Sequence, residues 1–197
     1  MKRFLPYIFL LCVFVLLYIQ NRSTTEYIYE ISGNLKKEPL PISEIKKDKK
    51  VFCSECKMMV KTVRNSAQVI TPKGKTYFFN DVGCMIHWVN EQKNYEEKEL
   101  VMYVFVPECS CYMDAYEAWY IRDGITPLGY GVVAFGTYME AQRSDLISSS
   151  VEYGYKNFKG DLKAEKYVYE FDEVKDFVLR GETLLHPLIR KKLLHYR

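Results

Sequence analysis

The pattern of apolar and polar positions begins with a membrane-type segment. Residues 4–19 form an almost unbroken apolar run behind Lys2 and Arg3. Such a run with a basic flank predicts a single membrane helix or a signal peptide. No small-residue cleavage pattern follows, so we expect an uncleaved anchor over residues 1–22, with a cleaved signal peptide as the alternative. The basic flank predicts a body outside the cytoplasm, which in a bacterium is the periplasm.

The next stretch, residues 23–50, is polar and contains Pro39, Pro41 and a cluster of lysines. It has few aromatic residues after Tyr29. This composition predicts a tether, with one short strand near its start at residues 27–31.

Beyond Val51 the pattern changes to short apolar segments separated by turn signals. The predicted elements are strands at 59–63, 67–70 and 75–79, a helix capped by Asn80 or Asp81 and running to about Asn90, and a buried strand at 100–106. Residues 71–74, Thr-Pro-Lys-Gly, predict the turn of a hairpin. Residues 51–107 therefore form a first strand-strand-helix-strand unit.

A second unit of the same order is predicted over residues 108–182. Its elements are strands at 115–122 and 130–135, a helix capped by Thr137, a strand at 166–171 and an amphipathic helix at 172–180. The two halves align loosely, which indicates an internal duplication. The prediction is an α+β fold of two related units with antiparallel sheets, preceded by the N-terminal membrane helix and followed by a basic helical tail at 183–197.

Charge and motifs exclude several classes of function. The formal charge is +3, and the 28 basic and 25 acidic residues are interspersed, so no nucleic-acid footprint is present. The sequence has no G-x-S-x-G elbow, phosphate loop or H-E-x-x-H helix, and it has only three histidines. We therefore expect a protein that is not an enzyme.

Sulfur is concentrated in one short segment. Residues 53–59 read C-S-E-C-K-M-M, and this segment places Cys53, Cys56, Met58 and Met59 in one loop. Thiolate and thioether donors favour monovalent copper, because polarizable ligands pair best with a polarizable cation. A redox-active dithiol or disulfide and a zinc site remain open as alternatives. Met58 and Met59 alternate along the chain, and Met58 is the better ligand candidate.

Further sulfur donors lie elsewhere in the sequence. Cys84 and Met85 are adjacent on the predicted helix, so they cannot face one site equally. Cys109 and Cys111 could complete a four-cysteine zinc set, and we expect their C-x-C spacing to be too short for a relaxed disulfide within the pair. Cys84, Cys109 and Cys111 are therefore additional metal or disulfide candidates. Five cysteines lie beyond the anchor, and this odd number leaves at least one thiol free or metal-bound.

Several blocks in order resemble the NosL family of nitrous oxide reductase accessory proteins. The blocks are F-C-S-E-C-K-M-M-V-K, A-Q-V-I, G-K-T-Y-F-F-N-D, M-Y-V-F-V, D-A-Y-E-A-W-Y and P-L-G-Y-G. They extend from about Val51 to Phe171. The resemblance implies a pair of related strand-strand-helix-strand units that bind Cu(I) and deliver it to nitrous oxide reductase or another multicopper enzyme. It also implies an ABC-type maturation transporter and its periplasmic partner as helpers.

The resemblance also implies a ligand set and shows departures from it. Cys53 and Cys56 match the two loop cysteines of the family, Met58 matches its loop methionine and Met85 its helix methionine. The departures are Lys57 in place of glycine, Cys84 where an acidic residue is common, and Leu128 in place of a turn methionine. A rearranged donor set is therefore expected.

Overall fold

The computed structural model describes residues 26–122, 124, 126–143 and 168–183. The predicted anchor at 1–22 lies outside these residues, as does the predicted tail except for Thr183. No helix in the described ranges is long and apolar enough to cross a membrane.

The described chain is an α+β fold with antiparallel sheets at its centre. Its strands are β1 (Tyr27–Ile28), β2 (Glu30–Ile31), β3 (Lys50–Val51), β4 (Ala67–Ile70), β5 (Thr76–Phe79), β6 (Val101–Val106), β7 (Cys111–Asp114), β8 (Trp119–Ile121) and β9 (Val133–Phe135). Its helices are α1 (Ile42–Asp48), α2 (Val82–Glu91), α3 (Tyr138–Arg143) and α4 (Phe171–Leu179), with a short 3-10 helix at Glu97–Glu99.

A five-stranded sheet in the order β2-β5-β4-β6-β7 forms the core, and all its neighbours are antiparallel. Burial alternates along β6, where Met102, Val104 and Val106 are buried and the residues between them are half-buried. The β4–β5 turn is closed by Gly74 N donating to Thr71 O at 2.9 Å. The predicted hairpin and the predicted strand at 100–106, which is β6, are therefore confirmed.

Helix α2 covers one face of this sheet. The Asp81 side chain caps it by accepting from Gly83 N at 3.1 Å, so the predicted cap is confirmed. Val82, Ile86 and Val89 are buried in the main apolar cluster, at the spacing the sequence indicated. The helix also packs against α4. α2 is therefore held in place by the sheet and by α4.

The prediction of a tether at residues 23–50 needs correction. From Glu26 onward this segment is folded: Ile28, Ile42 and Val51 join Val60 and Phe78 in a second apolar cluster on the opposite face of the sheet. The lysine-rich composition obscured these few apolar positions, which gain their burial only through long-range packing.

One polar side chain in the sheet fixes the same segment. The buried Gln68 accepts from Leu40 N at 2.9 Å and donates to Leu40 O at 2.8 Å. Both backbone groups of Leu40 are thereby satisfied by the centre of β4.

The second half contains a smaller antiparallel sheet. β8 pairs with β9, and Tyr120 of β8 also pairs with Tyr169 on its other side. The second set consists of β8, β9, α3 and the bridging residue Tyr169, in the same order as β4, β5, α2 and β6. In both sets the first strand lies between the other two.

Several elements differ from the prediction. β9 begins at Val133 rather than at residue 130, and α1 was not predicted. The described part of the predicted strand at 166–171 contributes only the bridge at Tyr169, because α4 begins at Phe171. The predicted strand at 115–122 is shorter because a turn occupies its start, and the predicted strand at 59–63 reduces to a single bridge between Met59 and Phe52. β7 was not predicted, and it extends the first sheet. The predicted boundary between residues 107 and 108 therefore falls inside the β6–β7 hairpin.

Candidate metal centre

Three thiols converge where the cysteine loop meets the start of α2. The sulfur atoms of Cys53, Cys56 and Cys84 all lie within 4.8 Å of one another. Cys53 and Cys84 are buried, whereas Cys56 is half-buried. We call this group the thiol cluster.

Backbone hydrogen bonds fold the cysteine loop. Cys53 N donates to Met58 O at 2.8 Å, and Lys57 N donates to Cys53 O at 3.1 Å, which closes the loop on itself. Ser54 N donates to Phe78 O at 2.7 Å and so attaches the loop to β5. Because these contacts are made by the main chain, the position of Cys53 is fixed by the fold.

Lys57 ends the loop in a left-handed conformation, with φ of 63°. This region favours glycine, because a Cβ crowds the following carbonyl oxygen. Here the Lys57 ammonium donates to Ser54 O and lies 5.6 Å from the centre of the Tyr29 ring.

Asn80 stands between the loop and the helix. Its side-chain oxygen lies 3.6 Å from the sulfur atoms of both Cys56 and Cys84, so it can accept from the Cys56 thiol, while the single Cys84 proton points either to this oxygen or to Cys53 Sγ. The two cysteines are thus oriented toward one point, and Asn80 is a contact that sequence reasoning treated only as a helix cap.

The protonation states within the thiol cluster differ. The pKa of Cys53 is lowered because the Cys84 thiol donates a hydrogen bond to it and the backbone amides of Asn80, Cys56 and Glu55 add to this, against the opposing effect of burial. The pKa of Cys84 is raised because its proton is held in that bond and its sulfur is buried. Burial raises the pKa of Cys56. Among the three thiols, Cys53 is therefore the one whose pKa shift favours the thiolate form.

A second loop covers the first turn of α2. Thr126 and Leu128 N, the latter at 3.2 Å, donate to the Asp81 carboxylate. Burial outweighs these bonds and raises the pKa of Asp81 to about 6. The ring of Tyr130 lies against Gly83 so closely that a Cβ there would stand 2.1 Å from the ring.

The geometry of the thiol cluster suits a soft metal ion. Thiolate–metal bonds of about 2.3 Å place the donors of a trigonal site about 4.0 Å apart, and the observed sulfur separations of up to 4.8 Å are compatible with that value. Three thiolates are one ligand short of a closed structural zinc site. The cluster can hold a metal ion through sulfur alone.

The metal ligands predicted from the sequence lie partly in the thiol cluster and partly around it. Cys84, given by the sequence only as an additional candidate, has its sulfur in the cluster. Met85 is fully buried in the main apolar cluster, which also contains Cys53 and Cys84. Met58 is 43% exposed and directly follows the loop.

Cys109 and Cys111 are joined to each other by a disulfide, with Cα atoms 5.1 Å apart. The expectation that this spacing is too short was wrong. The β6–β7 turn, with Ser110 left-handed at φ of 50°, brings the two Cα atoms into the ordinary range for a disulfide. The pair is therefore absent from the thiol cluster in this state.

No protein-family model matches this chain, and no curated protein matches it significantly. The resemblance to the NosL family rests on the sequence motifs alone.

Proposed function

We propose that this chain is a metallochaperone that carries one Cu(I) ion on Cys53, Cys56 and Cys84. The observation that carries the proposal is the convergence of these three thiols, from two separate elements, within 4.8 Å. Copper is the cargo of the protein and leaves with the recipient.

The donor set favours Cu(I) over Zn(II). Sulfur alone is the ligand environment of a soft cation. Zinc in structural sites takes four ligands, and this group has three.

The exposure of the donors supports transfer. Cys53 and Cys84 are buried and retain the ion, whereas Cys56 is half-buried and Met58 is exposed beside it. A thiolate or thioether of a recipient reaches the ion on the Cys56 side and replaces that ligand first. Release by ligand exchange then needs no opening of the core.

The cellular setting of the proposal comes from the sequence. The apolar run at residues 4–19 supports an anchored body in the periplasm. The NosL-type motifs support delivery to nitrous oxide reductase or another multicopper enzyme, with an ABC-type transporter and its periplasmic partner. The repeated element order supports an origin of the body in two related units.

A thiol-disulfide redox protein is the second candidate. The lowered pKa of Cys53 beside Cys56 favours it, since a thiolate is the reactive form of cysteine. Against it, Cys53 is fully buried and is poorly accessible to a substrate thiol.

Anaerobic competition between the full chain, with the Cys109–Cys111 disulfide intact and the three cluster thiols free, and a chromophoric Cu(I) chelator tests the proposal. Loss of a second-sphere contact costs a metal site about 10- to 100-fold, so Cys53→Ser or Cys84→Ser should weaken Cu(I) binding more than about 100-fold. Met58→Leu should change affinity less than about tenfold and should slow transfer to a chelator. Met139→Leu, on α3, is a matched control because Met139 is also exposed.

Each alternative gives its own result in parallel assays. Tighter binding of Zn(II), with unfolding on chelation, would indicate a zinc-stabilised domain. Turnover of thiol substrates without copper affinity would indicate the redox protein. Full Cu(I) affinity in Cys84→Ser would overturn the proposed ligand set.

A further inference from the structure

A second sulfur pair lies at the same end of the central sheet as the thiol cluster. Cys109–Cys111 follow β6, which ends at Val106. Ala67 of β4 pairs with both Phe79 and Val104, so the end of β5 is level with Val104, two residues before the end of β6. With strands about 4.8 Å apart and a rise of about 3.3 Å per residue, the hairpin lies roughly 12–18 Å from the end of β5.

The turn is closed without the disulfide. Val106 pairs with Cys111, and Ser110 N donates to Pro107 O at 3.2 Å. A disulfide stabilises by restricting the unfolded chain, and this effect is smallest for the shortest loops. With one residue between the cysteines, the bond contributes little to the fold.

The sulfur atoms are open to attack. Cys109 and Ser110 are exposed, and Cys111 is half-buried. Cys109 Sγ lies 3.5 Å from Val106 O, and as a disulfide sulfur it has no proton to donate to that oxygen. Exposed disulfides are the labile and regulatory ones, because an external thiolate can reach them.

We propose that Cys109 and Cys111 form a redox-gated second site for a soft metal ion, closed as the disulfide and open as the dithiol. Opening needs a reductant of the dithiol class. Its thiolate attacks Cys109 Sγ, the bond to Cys111 breaks, and Cys111 leaves as a thiolate that takes a proton. The second thiol of the reductant then attacks the mixed disulfide, which frees Cys109 as a thiol and leaves the reductant oxidised. Two electrons and two protons pass to the hairpin.

The open pair has the spacing of a two-coordinate site. Its Cα atoms are 5.1 Å apart across the turn. Two thiolates on opposite sides of one ion, with bonds of about 2.3 Å, need sulfur atoms about 4.6 Å apart. Free cysteine side chains at this Cα separation reach that distance by rotation of χ1. The reverse exchange, with an external disulfide as the oxidant that takes two electrons and two protons and becomes a dithiol, forms the Cys109–Cys111 bond again and excludes the ion.

The choice of Cu(I) as the ion rests on the proposed function of the thiol cluster. The redox gating of the hairpin does not rest on that function, because the hairpin sulfurs belong to a different loop. The hairpin site would give the molecule a second, exposed position for an ion near the first.

The test is the Cu(I) stoichiometry of the full chain, measured anaerobically against a chromophoric chelator before and after treatment with a phosphine, which is then removed. We expect one equivalent with the disulfide intact and two after reduction, together with a rise of two in the free-thiol count. Cys109→Ser/Cys111→Ser should take one equivalent in both states. One equivalent in the reduced unmodified chain would overturn the gated site, as would failure of that double variant to fold.

A second variant separates this proposal from the function of the thiol cluster. Cys53→Ser/Cys84→Ser should bind one equivalent only after reduction if the hairpin is a site. Binding in neither state would overturn the hairpin site. An unmodified chain that gains one equivalent on reduction but binds none beforehand would support the hairpin site and contradict the copper function of the cluster.

Discussion

Replacing Lys57 by glycine or by alanine tests whether the cysteine loop is conformationally strained. Both substitutions remove the contacts of the ammonium with Ser54 and Tyr29, so these losses cancel in the comparison. The two variants then differ at the backbone, where φ is 63°. A Cβ in the left-handed region costs about 1–2 kcal/mol. The greater flexibility of glycine in the unfolded chain offsets about 0.5–1 kcal/mol of this, so we expect Lys57→Gly to be more stable than Lys57→Ala by about 1 kcal/mol.

Urea unfolding measures the difference. Trp88 is buried against Tyr77 and Phe79, so its fluorescence reports loss of the core. With a denaturant slope of about 2 kcal/mol/M, the two midpoints should differ by about 0.5 M.

Lys61 provides the matched control, because it is an exposed loop residue outside the positive-φ set. At Lys61 the order of stabilities should reverse, so the alanine variant should be more stable than the glycine variant by about 0.5–1 kcal/mol. Equal midpoints for the two Lys57 variants, or the same order at both positions, would refute the reasoning from backbone conformation.

Three further substitutions test the contacts that hold the fold around the thiol cluster. Gly83→Ala places a Cβ 2.1 Å from the Tyr130 ring, so it should lower stability by about 1–3 kcal/mol in thermal melts, although alanine favours helices. Gln68→Ala leaves Leu40 N and O without their partners, and it should cost about 2–3 kcal/mol and increase hydrogen exchange at Leu40. The raised pKa of Asp81, about 6 against 3.8, means that the folded state holds a proton that the unfolded chain releases. Its contribution to the unfolding free energy should therefore fall by up to about 3 kcal/mol as pH rises from about 4 to about 6, and Asp81→Asn should flatten that part of the profile.

One outcome would contradict each of these three predictions. Gly83→Ala should regain stability when Tyr130→Ala is added, and additive losses would disprove the steric cause. Unchanged exchange at Leu40 in Gln68→Ala would show that the segment is held by other contacts. A pH profile of Asp81→Asn that parallels the parent would place the titration elsewhere.

Local signals determined which elements could be predicted from the sequence. β4, β5, α2 and β6 follow from alternation, from the turn at residues 71–74 and from the cap at Asp81, all of which act within a few residues. The packing of residues 26–50 could not be predicted, because Ile28 and Ile42 find their neighbours only in the folded molecule. β7 was missed because its residues are all half-buried and give no period-2 contrast.

The site was predicted in part for the same reason. The C-x-x-C segment identified Cys53 and Cys56 from adjacent residues. Cys84 joins them only because Ser54 binds β5 and Asp81 caps the following helix, so its place depends on tertiary contacts. The i to i+4 spacing of Asn80 and Cys84 at a helix start was the one sequence signal that could have placed Cys84 on the loop side.

The folded state of residues 26–50 limits how far the thiol cluster can travel from a bilayer. Six residues separate Ile19, the end of the apolar run, from Glu26, and the seven Cα–Cα steps between them span at most about 25 Å. β1 lies beside β3, with Tyr27 opposite Lys50, so Cys53 follows within about another 10 Å. If residues 4–19 sit in the membrane and the thiol cluster carries the proposed ion, its exchange would be confined to a layer roughly 35 Å deep, and only partners whose own sites open into that layer could receive the ion.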